Sequence, residues 1–123
     1  MANVLILDDD PETLLALKLG LQELGHKVLA FGDGNITRWI FEKQPIDVVI
    51  TDILMPQFDG LQVIGDVTKN HPDIRVCAIS GGGFKDAKSY LNMAKALGAE
   101  KVFEKPVKLE ELQLFITKRD QSS

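Results

Sequence analysis

The chain has 123 residues, of which 45% are apolar, and its 14 Lys and Arg against 18 Asp and Glu give a formal net charge of -4. That length accommodates one core of ordinary size and not two. Acidic and basic residues are mixed along the chain, which gives no basic face for nucleic acid and no polybasic membrane signal.

Five short apolar runs alternate with segments of helical period. Residues 3–7 (NVLIL) form the first expected strand, and Asp10-Pro11 supplies an N-cap and first-turn pair for a helix that stops at Gly25. Its stripe of Leu14, Leu17, Leu21 and Leu24 reads as core. A second strand is expected at 27–31 (KVLAF) and a helix at 35–43, where Trp39 with Ile36 and Ile40 reads as packing rather than as a binding anchor. A third strand follows at 47–51 (DVVIT), then a helix at 60–70.

The fourth strand, 74–80 (IRVCAIS), contains the single cysteine, Cys77, with no His or Asp beside it. It reads as a core thiol rather than a nucleophile. A helix at 86–97 ends near Gly98, a C-cap, and strand 101–104 (KVFE) leads to a last helix at 108–118. There is no internal repeat, and low complexity is confined to Gly81-Gly82-Gly83. A βαβ alternation with connections this short implies an α/β fold: a three-layer, doubly wound, five-stranded parallel sheet with helices on both faces. Residues 1–119 are expected to form the domain, and 120–123 a polar tail or the start of a linker. With no charged-then-apolar leader and no apolar run long enough to span a bilayer, the cytoplasm is the expected compartment.

If the strands are parallel, their carboxyl ends share one edge, where open α/β sheets bind ligands. Those ends read Asp8-Asp9-Asp10, Asp52, Ser80 and Glu104-Lys105-Pro106, and only the second strand brings no reactive group. Singly, each has an ordinary explanation: Asp10 as a helix cap, Asp8 or Asp9 as a solvated loop acid, Ser80 as turn chemistry, Lys105 as a surface lysine. As a set they are harder to dismiss, because two carboxylates ~4 Å apart at an effective dielectric near 20 repel by about 4 kcal/mol. A divalent cation and a lysine offset that repulsion most economically. Mg2+ prefers oxygen ligands and borrows only one or two carboxylates from protein, a requirement that Asp8, Asp9 and Asp52 meet. Lys105 adds a point charge and Ser80 a hydroxyl, so the edge forms a phosphoryl cradle around Asp52, whose carboxylate can act as nucleophile to give an acyl phosphate.

These residues carry a resemblance over nearly the whole chain, from VLILDDDPE to KVFEKPVKLEEL: it is similar to the receiver domains of two-component response regulators. The matched positions are Asp8-Asp9, Asp52 followed by Met55-Pro56 and Asp59-Gly60, Ser80, and Lys105-Pro106. The resemblance implies a flavodoxin-like strand order of 2-1-3-4-5. It implies that Asp9, Asp52 and the backbone carbonyl of Leu54 bind magnesium, that Asp8 acts mainly through a water, and that Ser80 and Lys105 contact the phosphoryl oxygens. The donor it implies is a phosphohistidine on a sensor histidine kinase or histidine phosphotransfer protein. The chain would then catalyse only its own phosphorylation and dephosphorylation. His26 and His71, in LGHK and NHPD, read as solvated loop residues without a part in this chemistry.

Three departures from the family pattern stand out. Val102 occupies the position where an aromatic often reports phosphorylation, and Phe103 next to it is expected in the core. The glycines after Ser80 suggest a mobile loop that phosphorylation orders. Neither Leu54 nor Gly82 has a polar side chain to hold an attacking water, which implies a slowly decaying phosphoryl state. Two other readings compete with this one. A haloacid-dehalogenase-like phosphatase also begins with Asp-x-Asp on a first strand, but Glu12 stands where Thr or Val is expected and no acidic pair follows the lysine. A receiver-like module that takes no phosphate is at odds with every acceptor position being filled. The output partner is not legible; the face of the fourth helix, fifth strand and fifth helix, with Tyr90, Met93, Leu114 and Phe115, is the expected place for docking or a homodimer. These residues contain no effector domain, and no direct nucleic-acid or membrane contact is expected of them.

Overall fold

A computed structural model of the chain describes residues 1–55, 58–81 and 87–117. Its strands are β1 (Asn3–Leu7), β2 (Lys27–Phe31), β3 (Val48–Asp52), β4 (Leu54–Met55), β5 (Phe58–Asp59), β6 (Arg75–Ser80) and β7 (Lys101–Glu104). Five of them form one sheet in the order β2-β1-β3-β6-β7, with every ladder parallel. Counted within that sheet, the order is the expected 2-1-3-4-5. The expectation did not include β4 and β5, a two-rung antiparallel ladder that follows Asp52.

The helices are α1 (Pro11–Glu23), α2 (Ile40–Lys43), α3 (Gly60–Asn70), α4 (Ala87–Leu97) and α5 (Leu109–Thr117). Side chains alternate across each strand, so the sheet feeds two cores. Val4, Ile6, Val48 and Ile50 pack with Leu17 and Leu21 of α1 and with Leu112, Phe115 and Ile116 of α5. Leu5, Leu7 and Val49 pack on the other face with Ile40, Ile64, Val67 and Ala94. Because β3 is covered on both faces, all five of its residues are buried, as a central parallel strand requires. Cys77 is fully buried in the α1/α5 core, and burial pushes its thiol pKa far up, which makes it the core thiol expected. Phe103 is likewise core, with Val102 half-buried on the opposite side of β7.

Several local expectations are corrected. The single helix at 35–43 is instead a 3-10 turn over Gly34–Arg38 followed by the one-turn α2. Asp33 caps the 3-10 turn by accepting from the Asn35 amide, and Thr37 donates from Oγ1 to the Gly34 carbonyl, which a continuous α-helix would leave to the amide four residues on. The break falls at Trp39, which is 45% exposed, while Ile40 is buried; the tryptophan does not pack as expected. Leu24 follows α1 as its C-cap and lies largely outside the core stripe. Gly25 and Gly98 both adopt positive φ, +100° and +120°, and so turn the chain out of α1 and α4 as their positions suggested. The third strand begins at Val48 rather than Asp47, whose carboxylate accepts from the Asn3 amide at 2.8 Å, and the fourth begins at Arg75 rather than Ile74.

His26 is not a solvated loop residue. It is 7% exposed, its Nδ1 accepts from the Ala2 amide at 3.1 Å, and its Nε2 lies 2.6 Å from Gln113 Oε1. These partners select the neutral tautomer with hydrogen on Nε2, and they tie β1 to α5. His71 is half-buried at the C-terminus of α3, stacked on Phe41 with ring centroids 4.7 Å apart. Phe115 belongs to the core and not to a docking face: it meets Phe103 edge-on, and the Arg75 guanidinium lies 4.3 Å over its ring. Arg75 also donates to the Phe115 and Ile116 carbonyls, which closes the last turn of α5. Met93 and Leu114 are exposed as expected. The tail at 120–123, the glycine loop at 82–83 and the Tyr90 side chain lie outside the described residues.

Candidate functional site

The parallel register brings the acidic residues together. Leu7 pairs with Thr51, so Asp8 and Asp52 are the next residues out on neighbouring strands. The Asp8 amide extends the ladder by one bond, to Phe31 O at 3.1 Å. Ile53 donates to Ile79 O and Lys105 to Ser80 O at 2.8 Å, which carries the same edge across to β6 and β7. Asp8, Asp52, Ser80 and Lys105 therefore all leave from one rim of the sheet, at the carboxyl ends of its strands. Asp10 begins α1 beside them as the expected cap, accepting from the Glu12 amide and the Thr13 hydroxyl.

At the centre, Lys105 Nζ lies 3.0 Å from Asp8 Oδ2 and 3.1 Å from Asp52 Oδ2. Asp8 is fully buried and Asp52 is 5% exposed. Burial alone would lower the lysine pKa, and the two adjacent carboxylates outweigh that and hold it above the ordinary lysine value. Asp9 is exposed, and one carboxylate oxygen from each of Asp8, Asp9 and Asp52 lies within 4.8 Å of the others. Asp8 Oδ1 accepts from the Asp10 amide at 2.9 Å. Asp8 Oδ2 is buried and pairs with the Lys105 ammonium at 3.0 Å. Three converging carboxylates, one with a buried oxygen so placed, are a hard-oxygen donor set that fits a small divalent cation.

Ser80 is buried, and among the described residues its Oγ reaches the Gly81 carbonyl, at 3.4 Å. Lys105 precedes a cis peptide bond to Pro106. Leu54 begins the β4/β5 ladder, which pairs Leu54 with Asp59 and returns the chain beneath Asp52. The return is tight. Gly60 donates its amide to Ile53 O at 2.9 Å, and a Cβ on Gly60 would collide with the Asp52 carbonyl and lie 2.7 Å from Ile53 Cα. Asp59 caps α3 by accepting from the Leu61 amide. Thr51, fully buried, donates from Oγ1 to the Asp52 carbonyl at 3.0 Å. Sequence reasoning passed over Thr51; the signal was a hydroxyl inside an otherwise apolar strand, one residue before the central carboxylate.

Comparison with known proteins agrees with this geometry. The family model described as response regulator receiver domain matches residues 4–117. The chain is 33% identical over 114 residues to the DNA-binding transcriptional regulator NtrC of Azospirillum brasilense, with 90% of this chain covered but only 22% of that regulator's length. It is 32% identical over 115 residues to the probable chemotaxis protein CheY of Rhizobium etli, covering 93% of this chain and 88% of that protein. Among solved structures, the response regulator protein TrrA of Thermotoga maritima in complex with Mg(2+)-BeF matches with a TM-score of 0.81 at 27% identity, covering 96% of this chain and 98% of that one. Sheet order, strand-end chemistry and these likenesses agree: the chain belongs to the response regulator receiver domain family, a family of two-component signalling domains.

Proposed function

We propose that Asp52 is a phosphoacceptor, and that the chain takes a phosphoryl group from a phosphohistidine on a sensor histidine kinase or histidine phosphotransfer protein. The observation that carries this reading is the shared ammonium: Lys105 bridges Asp8 and Asp52 at the strand ends, with Asp9 completing a three-carboxylate cluster. A carboxylate oxygen of Asp52 bonds to phosphorus as the donor's P–N bond breaks, its electron pair staying on the imidazole nitrogen, which then takes up a proton. Asp8 is the poorer acceptor, being fully buried with Oδ1 engaged by the Asp10 amide. The roles assigned to Lys105 and Ser80 are contacts to the phosphoryl oxygens, by ammonium and by hydroxyl. Asp8, Asp9, Asp52 and the Leu54 backbone carbonyl would hold Mg2+, which when bound supplies the charge that screens the carboxylates and the transferring group.

Residues 1–119 are taken as the receiver unit and 120–123 as a tail or linker start, acting in the cytoplasm; among the described residues no helix is long and apolar enough to cross a membrane. Partner binding is assigned to the segment between β6 and α4 and to the face of α4, β7 and α5, where Met93 and Leu114 are exposed and a homodimer is one arrangement. The test is incubation with a small acyl phosphate and magnesium. The expected result is a one-phosphoryl mass gain that Asp52→Asn abolishes. No gain, or a gain kept by the variant, overturns the assignment.

A further inference from the structure

We infer that the Thr51 hydroxyl is a positioning group for Asp52, a role that rests on the phosphoacceptor reading above. Residue 51 lies on the face of the sheet that meets α3, among apolar neighbours, and is fully buried. A hydroxyl there is costly unless it is hydrogen-bonded, and valine would fill the same volume without that cost. Thr51 Oγ1 instead donates to the backbone carbonyl of Asp52 at 3.0 Å.

The same carbonyl is closed in from the other side by Gly60, whose Cα leaves no room for a side chain against it. Hydroxyl and glycine thus bear on the carbonyl side of the peptide plane between Asp52 and Ile53, whose amide side is held by Ile79 O at 3.0 Å. That plane determines two things: the direction in which Asp52 presents its carboxylate, and the path of the backbone to Leu54. From Leu54 the chain enters the two-rung ladder with Asp59 and is tied back through Gly60 to Ile53. The acceptor is thus held from behind through its backbone carbonyl by a buried side chain of the preceding residue.

Two variants of the full chain separate a hydroxyl role from a packing role. Thr51→Val keeps the β-branched volume and removes the hydrogen bond; Thr51→Ser keeps the hydroxyl and removes the methyl. The expected result is that Thr51→Val melts cooperatively, shifts the Asp52 carbonyl carbon resonance in metal-free protein, and slows phosphorylation by acetyl phosphate with saturating magnesium about fivefold to tenfold, the worth of one such hydrogen bond. Thr51→Ser should restore both the resonance and the rate. Valine behaving as wild type, or serine as impaired as valine, overturns the inference. If valine prevents folding, Thr51→Ala against Thr51→Ser gives the same comparison. If the wild-type chain takes no phosphate, the phosphoacceptor reading fails, and the positioning claim stands or falls on the carbonyl resonance alone.

Discussion

Replacing Lys105 with methionine removes the ammonium that bridges Asp8 and Asp52 while keeping most of the side-chain volume. With carboxylate oxygens within 4.8 Å of one another, the pairwise repulsion that the ammonium offsets, at an effective dielectric of 20, is about 3.5 kcal/mol. The Lys105 side chain is 21% exposed, so water already screens part of the pair, and about 2–3 kcal/mol is expected from the loss. Urea unfolding at neutral pH and low salt, with chelator present, measures it. Adding Asp8→Asn to Lys105→Met should recover most of the loss, because the carboxylate that lost its partner is then neutral. Millimolar magnesium should recover it in the single variant by binding only the folded state. The sign of the pH dependence follows from the raised lysine pKa: the stabilisation is complete below the ordinary value of 10.5 and disappears only as pH climbs through the higher folded value. A loss below about 1 kcal/mol, or no recovery with Asp8→Asn, would refute the view that the ammonium offsets carboxylate repulsion here.

Three further outcomes follow. Gly60→Ala should cost about 3 kcal/mol in thermal or urea melts, since the added methyl meets backbone rather than a movable side chain; a neutral result would mean that the β4/β5 return is looser than described. His26→Phe keeps an aromatic ring but strands the Ala2 amide and Gln113, and a loss of about 1–3 kcal/mol is expected in the same assay. Because Leu54 and Gly82 offer no polar side chain to an attacking water, radiolabelled phosphate on Asp52 should decay slowly, and a lifetime of seconds would contradict this.

Most of the fold was legible because local and global signals coincided. The strands at 3–7, 27–31 and 101–104 were read to the residue, each being a short apolar run between turn formers. The strand-end constellation was legible for the same reason: once the strands are parallel, each terminal residue must lie on one rim. What escaped depended on distant partners. His26 looks like turn chemistry because its partner, Gln113, is 87 residues away. Phe115 looked like a surface aromatic because the Phe103 and Arg75 that enclose it come from other elements. The region around Trp39 failed differently, since apolar spacing favoured one helix where the chain forms a 3-10 turn and then a separate helical turn. Thr51 escaped because nothing in a linear pattern tells a hydroxyl that fills space from one that grips a neighbour's carbonyl.

The amide of Lys105 donates to the carbonyl of Ser80 across the last ladder of the sheet. The backbones beneath the proposed ammonium and hydroxyl contacts are therefore joined by main chain, so the spacing of their two Cα atoms is set by the sheet and not by either side chain. That spacing is inherited by the border strand, whose pairing with β6 fixes where the lysine leaves the sheet.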